Sequence, residues 1–284
     1  MALLLPLLCG CTAAPGDTAP SDTSKPTETL PSTTQSTQDT TPTTAPTVPK
    51  PTKPSVLDFL RIAAQPVGKC MYVWGGGWNE ADTGAGIEAI HLGISARWEE
   101  FAAAQGSDYD YKTTRYQIHD GLDCSGYVGW AVYNAVETEN GREGYVCSST
   151  QMAEKLAVRG LGQCLTPEES GIFQPGDIVS IQGHVWIAVS VCDDGSVLLL
   201  HASPPGVMFS GTKLPDGSES QATVLANKIM AEYYPNWYVR FPDSARSHTY
   251  LENCTVFRWT ALENPENLPA LTAEEVVNLI LHKK

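Results

Sequence analysis

The chain has 284 residues, 42% of them hydrophobic, and its 32 acidic and 18 basic side chains give a formal net charge of -14. That length and apolar content are enough for one substantial core. The acidic balance excludes nucleic acid and anionic membrane surfaces as partners bound by charge attraction, because both carry negative charge.

The first residues form an apolar run that ends in two closely spaced cysteines. The segment MALLLPLLCGCTAAPGD is far shorter than the roughly 20 apolar residues of a membrane span, so it predicts an export signal. The small residues ahead of Cys11 resemble the lipobox of bacterial lipoproteins. This resemblance implies a lipoprotein signal over residues 1–11, lipidation at Cys11 and an extracytoplasmic protein anchored to the cell membrane by its lipid. A plain secretory signal is the alternative.

Residues 12–54 have the composition of a tether. They consist almost entirely of Thr, Ser, Pro and Ala, and their large apolar side chains are Leu30 and Val48. Such a segment cannot bury enough surface to offset its chain entropy. It is therefore predicted to be a disordered Ser/Thr/Pro-rich tether, followed by a folded domain over residues 55–284.

The folded domain is predicted to open with a helix and a glycine-rich loop. Ser55 and Asp58 form a capping pattern ahead of apolar residues at helical spacing, which predicts a helix over about 56–65. The segment CMYVWGGGW predicts a short extended piece that enters a tight loop at Gly75–Gly77. Apolar positions within the following segment, residues 78–121, predict one or two short helices.

Two further helices are predicted from their apolar runs and end signals. The segment CSGYVGWAVYNAV, from Cys124 to about Val136, predicts a buried helix. The segment SSTQMAEKLAVRG predicts a helix with Ser148 or Ser149 as its N-cap and Gly160 as its stop.

The remainder is predicted to be mostly strands. A strand is expected at Ile178–Ile181, and HVWIAVSV and VLLLHAS predict a β-hairpin whose left-handed turn comes from Asp194 and Gly195. The segments NWYVRF and CTVFRWT predict strands, and LTAEEVVNLIL predicts a helix with a capping box of Thr272 and Glu275. The order of helices followed by strands predicts an α+β fold, with N-terminal helices packed on a small antiparallel sheet.

Cys124 is the first candidate for chemistry. A thiol at a helix N-terminus has its pKa lowered, because unpaired backbone N–H groups favour the thiolate. A lone cysteine on an apolar helix is also a common core residue, so its position alone leaves both roles open. The domain's six cysteines lack tight spacings such as CxxC, and most are expected to be reduced and buried. They are Cys70, Cys124, Cys147, Cys164, Cys192 and Cys254.

Two histidines strengthen the case for catalysis. His184 begins the first strand of the predicted hairpin and His201 ends the second, so antiparallel pairing predicts that they lie close together. One would take the proton of Cys124 while the other fixes its imidazole, as in acyl transfer. Alternatively, each ends a strand at a polar sheet edge, or the pair binds a metal, although no third ligand at helical spacing is evident. His91 and His119 are competing bases with no such partner.

Six segments resemble, in the same order, those of the NlpC-type cell-wall cysteine peptidases, a family with a papain-like fold. They are YVWGGG at 72–77, LDCSGYV at 122–128, SSTQ at 148–151, FQPGDIV at 173–179, HVWIAVS at 184–190 and LLHAS at 199–203. The resemblance implies an NlpC-type catalytic core within residues 55–284, with a long insertion at 78–121 and a C-terminal extension at 205–284. Trp186 departs from the family, which usually has glycine there, and its ring is expected to narrow the groove beside the base.

The resemblance also implies the roles of the reacting groups. Cys124 would be the nucleophile, His184 the general base and acid, and His201 the polar third member. The bond cleaved would join D-γ-glutamate to a diamino acid in a peptidoglycan stem peptide, by hydrolysis through a thioester. Backbone N–H groups at the start of the Cys124 helix would hold the oxyanion.

Four more residues are implied in binding the substrate. Tyr72, Asp123 and Ser125 would hold the free α-amino end of the stem peptide, and the hydroxyl of Ser149 would lie beside them. Each has a structural alternative, since Asp123 is also suited to cap the helix with Ser125 in its first turn, and Tyr72 to fill the core.

The expected function is therefore a lipid-anchored endopeptidase acting on peptidoglycan stem peptides or muropeptides. We expect a monomer without metal or cofactor, in which the insertion and the extension shape the subsites. An amidase or an acyltransferase on the same scaffold is one alternative, because the triad specifies thioester chemistry but not the acyl donor. A wall-binding lipoprotein with a degenerate site is the other.

Overall fold

The computed structural model describes residues 53–137 and 141–282. The expectations for the signal, for Cys11 and for all but the last two residues of the tether fall outside the described residues. Within those residues, none of the helices has the length and apolar character needed to cross a membrane.

A seven-stranded sheet organises the described chain, in the order β1-β7-β2-β3-β4-β5-β6. Neighbouring strands are antiparallel except β5 and β6, which are parallel. The strands are β1 Gly162–Leu165, β2 Ile178–Ile181, β3 His184–Val191, β4 Val197–Ser203, β5 Gly206–Thr212, β6 Ala245–Arg246 and β7 Thr255–Trp259. The predicted α+β class with a mainly antiparallel sheet is confirmed, but the sheet is not the small one expected.

The sheet is large because the C-terminal extension contributes to its interior. Strand β7 lies between β1 and β2, where Val256 and Phe257 are fully buried. Strands β5 and β6 continue the sheet beyond β4. The extension at 205–284 is thus integral to the core.

The described residues contain eight α-helices, and each of the five segments predicted to be helical contains one of them. The capping box of Ser55 and Asp58 starts the first helix, and that of Thr272 and Glu275 starts the last. The insertion holds a 3-10 helix and one α-helix, in agreement with the prediction. The helices are α1 Val56–Ala64, α2 Ala96–Ala104, α3 Cys124–Val136, α4 Met152–Val158, α5 Pro167–Ser170, α6 Gln221–Tyr233, α7 Pro235–Tyr238 and α8 Ala273–Leu281.

The two faces of β3 pack into different clusters. Val185, Ile187 and Val189 face the larger core, which includes α1 and α3. Trp186 and Ala188 belong to a second cluster on the other face. Because both faces are covered, the strand is a continuous apolar run rather than an alternation of apolar and polar residues. The ring of Trp186 is fully buried against Phe173, so the prediction that it narrows an open groove is wrong.

Three local predictions were wrong. The first three residues of NWYVRF lie in helix α7 rather than in a strand, because Pro235 occupies the first turn of this helix and Trp237 is buried. Neither Ser148 nor Ser149 caps α4, since a 3-10 helix at Ser149–Gln151 precedes it and no side chain caps it. In the hairpin turn Gly195 has a positive φ of 80° and Asp194 does not.

The six cysteines of the described residues are free thiols. Cys70, Cys124 and Cys254 are buried, which is half of the six rather than most of them. Cys147 and Cys192 are partly exposed and Cys164 is exposed. The prediction is wrong for Cys164 because this residue lies on β1, which is an edge strand of the sheet.

Candidate active site

The glycine loop at Gly75–Gly77 sits directly on the first turn of α3. The backbone N–H of Asp123 donates to the carbonyl of Gly76 over 3.0 Å. A Cβ atom at Gly126 would collide with this same carbonyl, and one at Gly77 would lie 2.7 Å from the Cα of Gly126. Gly75 and Gly77 also have positive φ angles of 79° and 88°. Glycine is therefore required on both sides of this contact, which fixes the start of α3.

Asp123 is the N-cap of α3. Its Oδ1 accepts hydrogen bonds from the Gly126 N–H at 2.7 Å and from the Ser125 hydroxyl at 2.8 Å. The indole N–H of Trp78 donates to the same hydroxyl over 3.0 Å. The structural role considered for Asp123 and Ser125 is therefore present, and Trp78 completes it from the end of the glycine loop.

The Asp123 carboxylate is buried without an opposite charge. The residue is 9% exposed, and no salt bridge joins it to another described residue. Burial raises its pKa to about 6, although hydrogen bonds from Gly126, Ser125 and Gly75 act in the opposite direction. At neutral pH the site therefore contains a buried negative charge.

The Cys124 thiol lies at the N-terminus of α3 and is 7% exposed. The backbone N–H groups of Val185, Ser125 and Cys124 itself lie close enough to lower its pKa. Burial and, next, the charge of Asp123 outweigh them and raise the pKa to about 12. The prediction of a lowered pKa is wrong because desolvation exceeds the effect of the helix terminus. The resting thiol is neutral.

His184 and His201 are joined by a hydrogen bond. His184 Nε2 lies 3.0 Å from His201 Nδ1. Strands β3 and β4 pair Ile187 with Leu200, and a bulge lies between Ala188 and Ser190. In this register the position opposite His201 is two residues from His184, so both histidines lie on the same face of the sheet. Burial, and then the charge of Arg246, lower the pKa of His184 to about 4. The same two causes, followed by His184, lower the pKa of His201.

The thiol lies at the start of β3, next to the residue that joins the histidine pair. Val185, whose N–H lies at the sulfur, follows His184 directly in the chain. The ring of Tyr250 lies 5.3 Å from that of His184 and 5.9 Å from that of His201, and Tyr250 also interacts electrostatically with Cys124. The structure thus gathers all three predicted reacting groups around one tyrosine.

Three site residues come from the C-terminal extension and were missed by sequence analysis. Ser210 on β5 places its hydroxyl 3.0 Å from His201 Nε2. Arg246 on β6 donates from its Nε to the same nitrogen over 3.1 Å. Tyr250 is the third. Strand β5 had not been predicted, and no local pattern links these residues to the hairpin, so the sequence carried no signal for them.

Tyr72 lies beside Asp123. A parallel bridge between Tyr72 and Leu122 sets this position. Burial raises the pKa of Tyr72, and the charges of Cys124 and Asp123 raise it further. Tyr72 is 7% exposed, so it has the core position that was the alternative to a role in binding substrate. It also lies close enough to the thiol to interact with it electrostatically.

Ser149 is positioned by the 3-10 helix ahead of α4. The neighbouring Thr150 accepts a hydrogen bond from the Gly183 N–H at 3.2 Å, directly before His184. This bond places the segment that carries Ser149 next to the start of β3, and Ser149 itself is partly exposed.

The two competing histidines lie elsewhere in the insertion. His119 Nδ1 is 2.6 Å from a carboxylate oxygen of Glu88. His91 is exposed, and its carbonyl accepts a hydrogen bond from Asn134. Across residues 53–137 and 141–282, no group of three or more His, Cys, Asp or Glu side chains is placed to hold a metal ion.

The insertion supports the glycine loop through Tyr109. Its hydroxyl donates to the carbonyl of Tyr72 over 2.7 Å and contacts the Thr114 hydroxyl at 2.8 Å. We expect Tyr109→Phe to lower the free energy of unfolding by about 1 kcal/mol, because this partly buried carbonyl loses its donor. Urea unfolding measures the change. Tyr116→Phe is the control, since Tyr116 is 90% exposed; equal effects of the two substitutions would contradict the supporting role.

No family model matches this chain, and no curated protein or solved structure matches it significantly. The α+β fold itself combines a buried thiol at a helix N-terminus with a histidine at the start of β3 that is hydrogen-bonded to a second histidine on β4. Such an arrangement supplies a nucleophile, a base and a group that orients the base.

Proposed function

We propose that the protein is a cell-wall cysteine endopeptidase that hydrolyses peptidoglycan stem peptides through a thioester on Cys124. One observation carries the proposal: the thiol lies at the N–H of Val185, directly beyond His184, whose ring is hydrogen-bonded to His201. The order of the six sequence segments favours an NlpC-type peptidase with a papain-like core over other thiol enzymes.

The proposed reaction begins from a neutral thiol and a neutral imidazole. His184 takes the proton of Cys124 as the sulfur attacks the scissile carbonyl, and N–H groups at the start of α3 hold the oxyanion. His184 then gives the proton to the leaving amine as the C–N bond breaks and the thioester forms. Water, deprotonated by His184, hydrolyses the thioester and restores the thiol. His201 orients the base throughout.

The buried charge of Asp123 supports a substrate with a free amino end. A carboxylate that is buried without a cation costs free energy, and a substrate α-ammonium group would offset this cost. Tyr72 and Ser125 border the carboxylate, and Ser149 lies nearer the histidines. A short stem peptide that presents L-Ala ahead of γ-D-Glu and a diamino acid fits this demand, with cleavage at the D-γ-glutamyl bond.

The proposed location follows from the sequence ahead of the described domain. Lipidation of Cys11 would anchor a monomer outside the cytoplasm, and the tether at 12–54 would let the domain reach peptidoglycan at a distance from the membrane. Neither a metal nor a cofactor takes part in the proposed reaction.

The products of defined substrates test the proposal. The full-length protein is incubated with the L-Ala-γ-D-Glu-diamino acid tripeptide, its N-acetylated form and intact muropeptides, and the products are identified by mass spectrometry. We expect L-Ala-D-Glu from the free tripeptide and little cleavage of the acetylated one. Freed glycan without this dipeptide would identify an amidase. If no substrate gives a product, the alternative of a non-catalytic wall-binding protein would be favoured.

A further inference from the structure

Two side chains compete for one ring nitrogen of His201. Arg246 Nε lies 3.1 Å from His201 Nε2, and Ser210 Oγ lies 3.0 Å from it. His201 is fully buried, and the side chain of Arg246 is 11% exposed. The guanidinium is held in place from its other nitrogens, which donate to the Ala245 carbonyl over 2.6 Å and to the Met208 sulfur over 3.3 Å.

The contact with Arg246 determines which tautomer His201 adopts. A guanidinium has donors but no acceptor, so the nitrogen that faces its N–H must be unprotonated. A neutral imidazole carries one proton, which in His201 is therefore on Nδ1. Nδ1–H then donates to His184 Nε2, so the proton of neutral His184 is on its own Nδ1.

This resting tautomer cannot accept the thiol proton. His184 Nε2 is occupied by His201, which leaves Nδ1 as the nitrogen available to Cys124, and Nδ1 already carries a proton. The reaction requires the opposite arrangement, in which His201 Nε2–H donates to the Ser210 hydroxyl and His201 Nδ1 accepts from His184 Nε2–H. His184 Nδ1 is then free to act as a base.

We infer that Arg246 and Ser210 are opposed positioning residues that set the tautomer of His201. Arg246 holds the resting tautomer, because its N–H can only donate to Nε2. The Ser210 hydroxyl can donate to Nε2 in the resting tautomer, but of the two side chains it alone can accept the Nε2–H of the reactive one. Both act through His201 rather than on the substrate. The catalytic consequence rests on the proposed function, whereas the tautomer itself does not.

The tautomer is measured directly by nitrogen NMR of the full-length protein labelled in its histidine rings, with His201→Asn assigning the His201 signals. We expect wild-type His201 to be protonated at Nδ1 and unprotonated at Nε2, and Arg246→Met to populate the form protonated at Nε2. Arg240→Met is the matched control, because Arg240 bonds to the carbonyls of Ala102 and Gln105 instead. A wild-type protein protonated at Nε2 would overturn the inference without any variant.

Rates of tripeptide hydrolysis test the catalytic consequence. We expect Arg246→Met to raise kcat/KM about tenfold, because it removes a donor that only the resting tautomer can use. We expect Ser210→Ala to lower it about tenfold, because the buried Nε2–H of the reactive tautomer then lacks an acceptor. Arg240→Met should leave it unchanged. Rates that move in the same direction in both variants would overturn the opposed roles. Absence of hydrolysis in all proteins, with the NMR result as expected, would defeat the proposed function and leave the tautomer assignment standing.

Discussion

Replacing Cys124 with alanine should abolish release of the dipeptide, with a loss of at least about 10³-fold in kcat/KM. The variant keeps the cap, the glycine loop and the histidine pair, and it removes the atom that forms the thioester. Steady-state hydrolysis of the tripeptide gives the rate, and urea unfolding shows that the domain remains folded.

Cys254→Ala is the matched control for this substitution. Cys254 is 6% exposed and Cys124 is 7% exposed, but Cys254 lies just before β7, where its thiol contacts the carbonyl of Leu251 over 3.8 Å. The control should keep its activity within about threefold while losing comparable stability, since both changes remove one buried sulfur. Hydrolysis that persists in Cys124→Ala would place the chemistry at another residue.

The sequence predicted those elements whose signals are local. Helix α1 has its capping box within four residues, and the largely apolar sequence of α3 indicates the burial that the structure shows from Cys124 to Val132. The hairpin has strands of opposite direction around a turn that contains Gly195, which places His184 and His201 near one another. Each of these inferences needed no knowledge of residues distant in the chain.

The surroundings of the histidine pair were not predictable in this way. Ser210, Arg246 and Tyr250 reach the pair because β5 lies next to β4 and β6 lies next to β5. These are pairings between strands, and the sequence shows them only when both strands are recognised. With β5 and β6 unrecognised, the extension had the appearance of an addition to the domain, although it supplies part of its active site.

The protonation states of the site likewise depend on tertiary packing. The N-terminus of α3 favours a thiolate, and that effect can be inferred from the sequence. Desolvation depends on what covers the residue, and here it raises the pKa of Cys124 to about 12 and lowers that of His184 to about 4. At rest, Cys124 and His184 are therefore a neutral thiol and a neutral imidazole rather than a thiolate and an imidazolium. Proton transfer therefore belongs to the reaction itself, which makes the tautomer of His184 decisive.

Asp123 is expected to weaken the fold at neutral pH while serving the substrate. Its pKa rises from an ordinary 3.8 to about 6, so the folded state holds a proton that the unfolded state has lost between these values. The contribution of Asp123 to the free energy of unfolding is fully present below about pH 3.8 and is lost as the pH rises through about 6. At neutral pH the buried charge costs about 3 kcal/mol.

Asp123→Asn should therefore stabilise the domain and impair catalysis. The amide oxygen still accepts from Gly126 and Ser125, so the cap is kept, and the charge is removed. The difference in the free energy of unfolding between the variant and wild type should grow by about 2 to 3 kcal/mol as the pH is raised from about 4 to about 7.5. For the free tripeptide, KM should rise at least about tenfold with kcat little changed, because the ammonium group loses its counter-charge.

Asp58→Asn provides the control for this stability measurement, because Asp58 belongs to the capping box of α1 and its side chain is 52% exposed. Its substitution should change the free energy of unfolding by less than about 1 kcal/mol at either pH. The acetylated tripeptide separates the two roles of Asp123: wild type should discriminate against it, and Asp123→Asn should not. A variant that gains stability but keeps its preference for the free amine would assign Asp123 to the helix cap alone and place the ammonium site elsewhere.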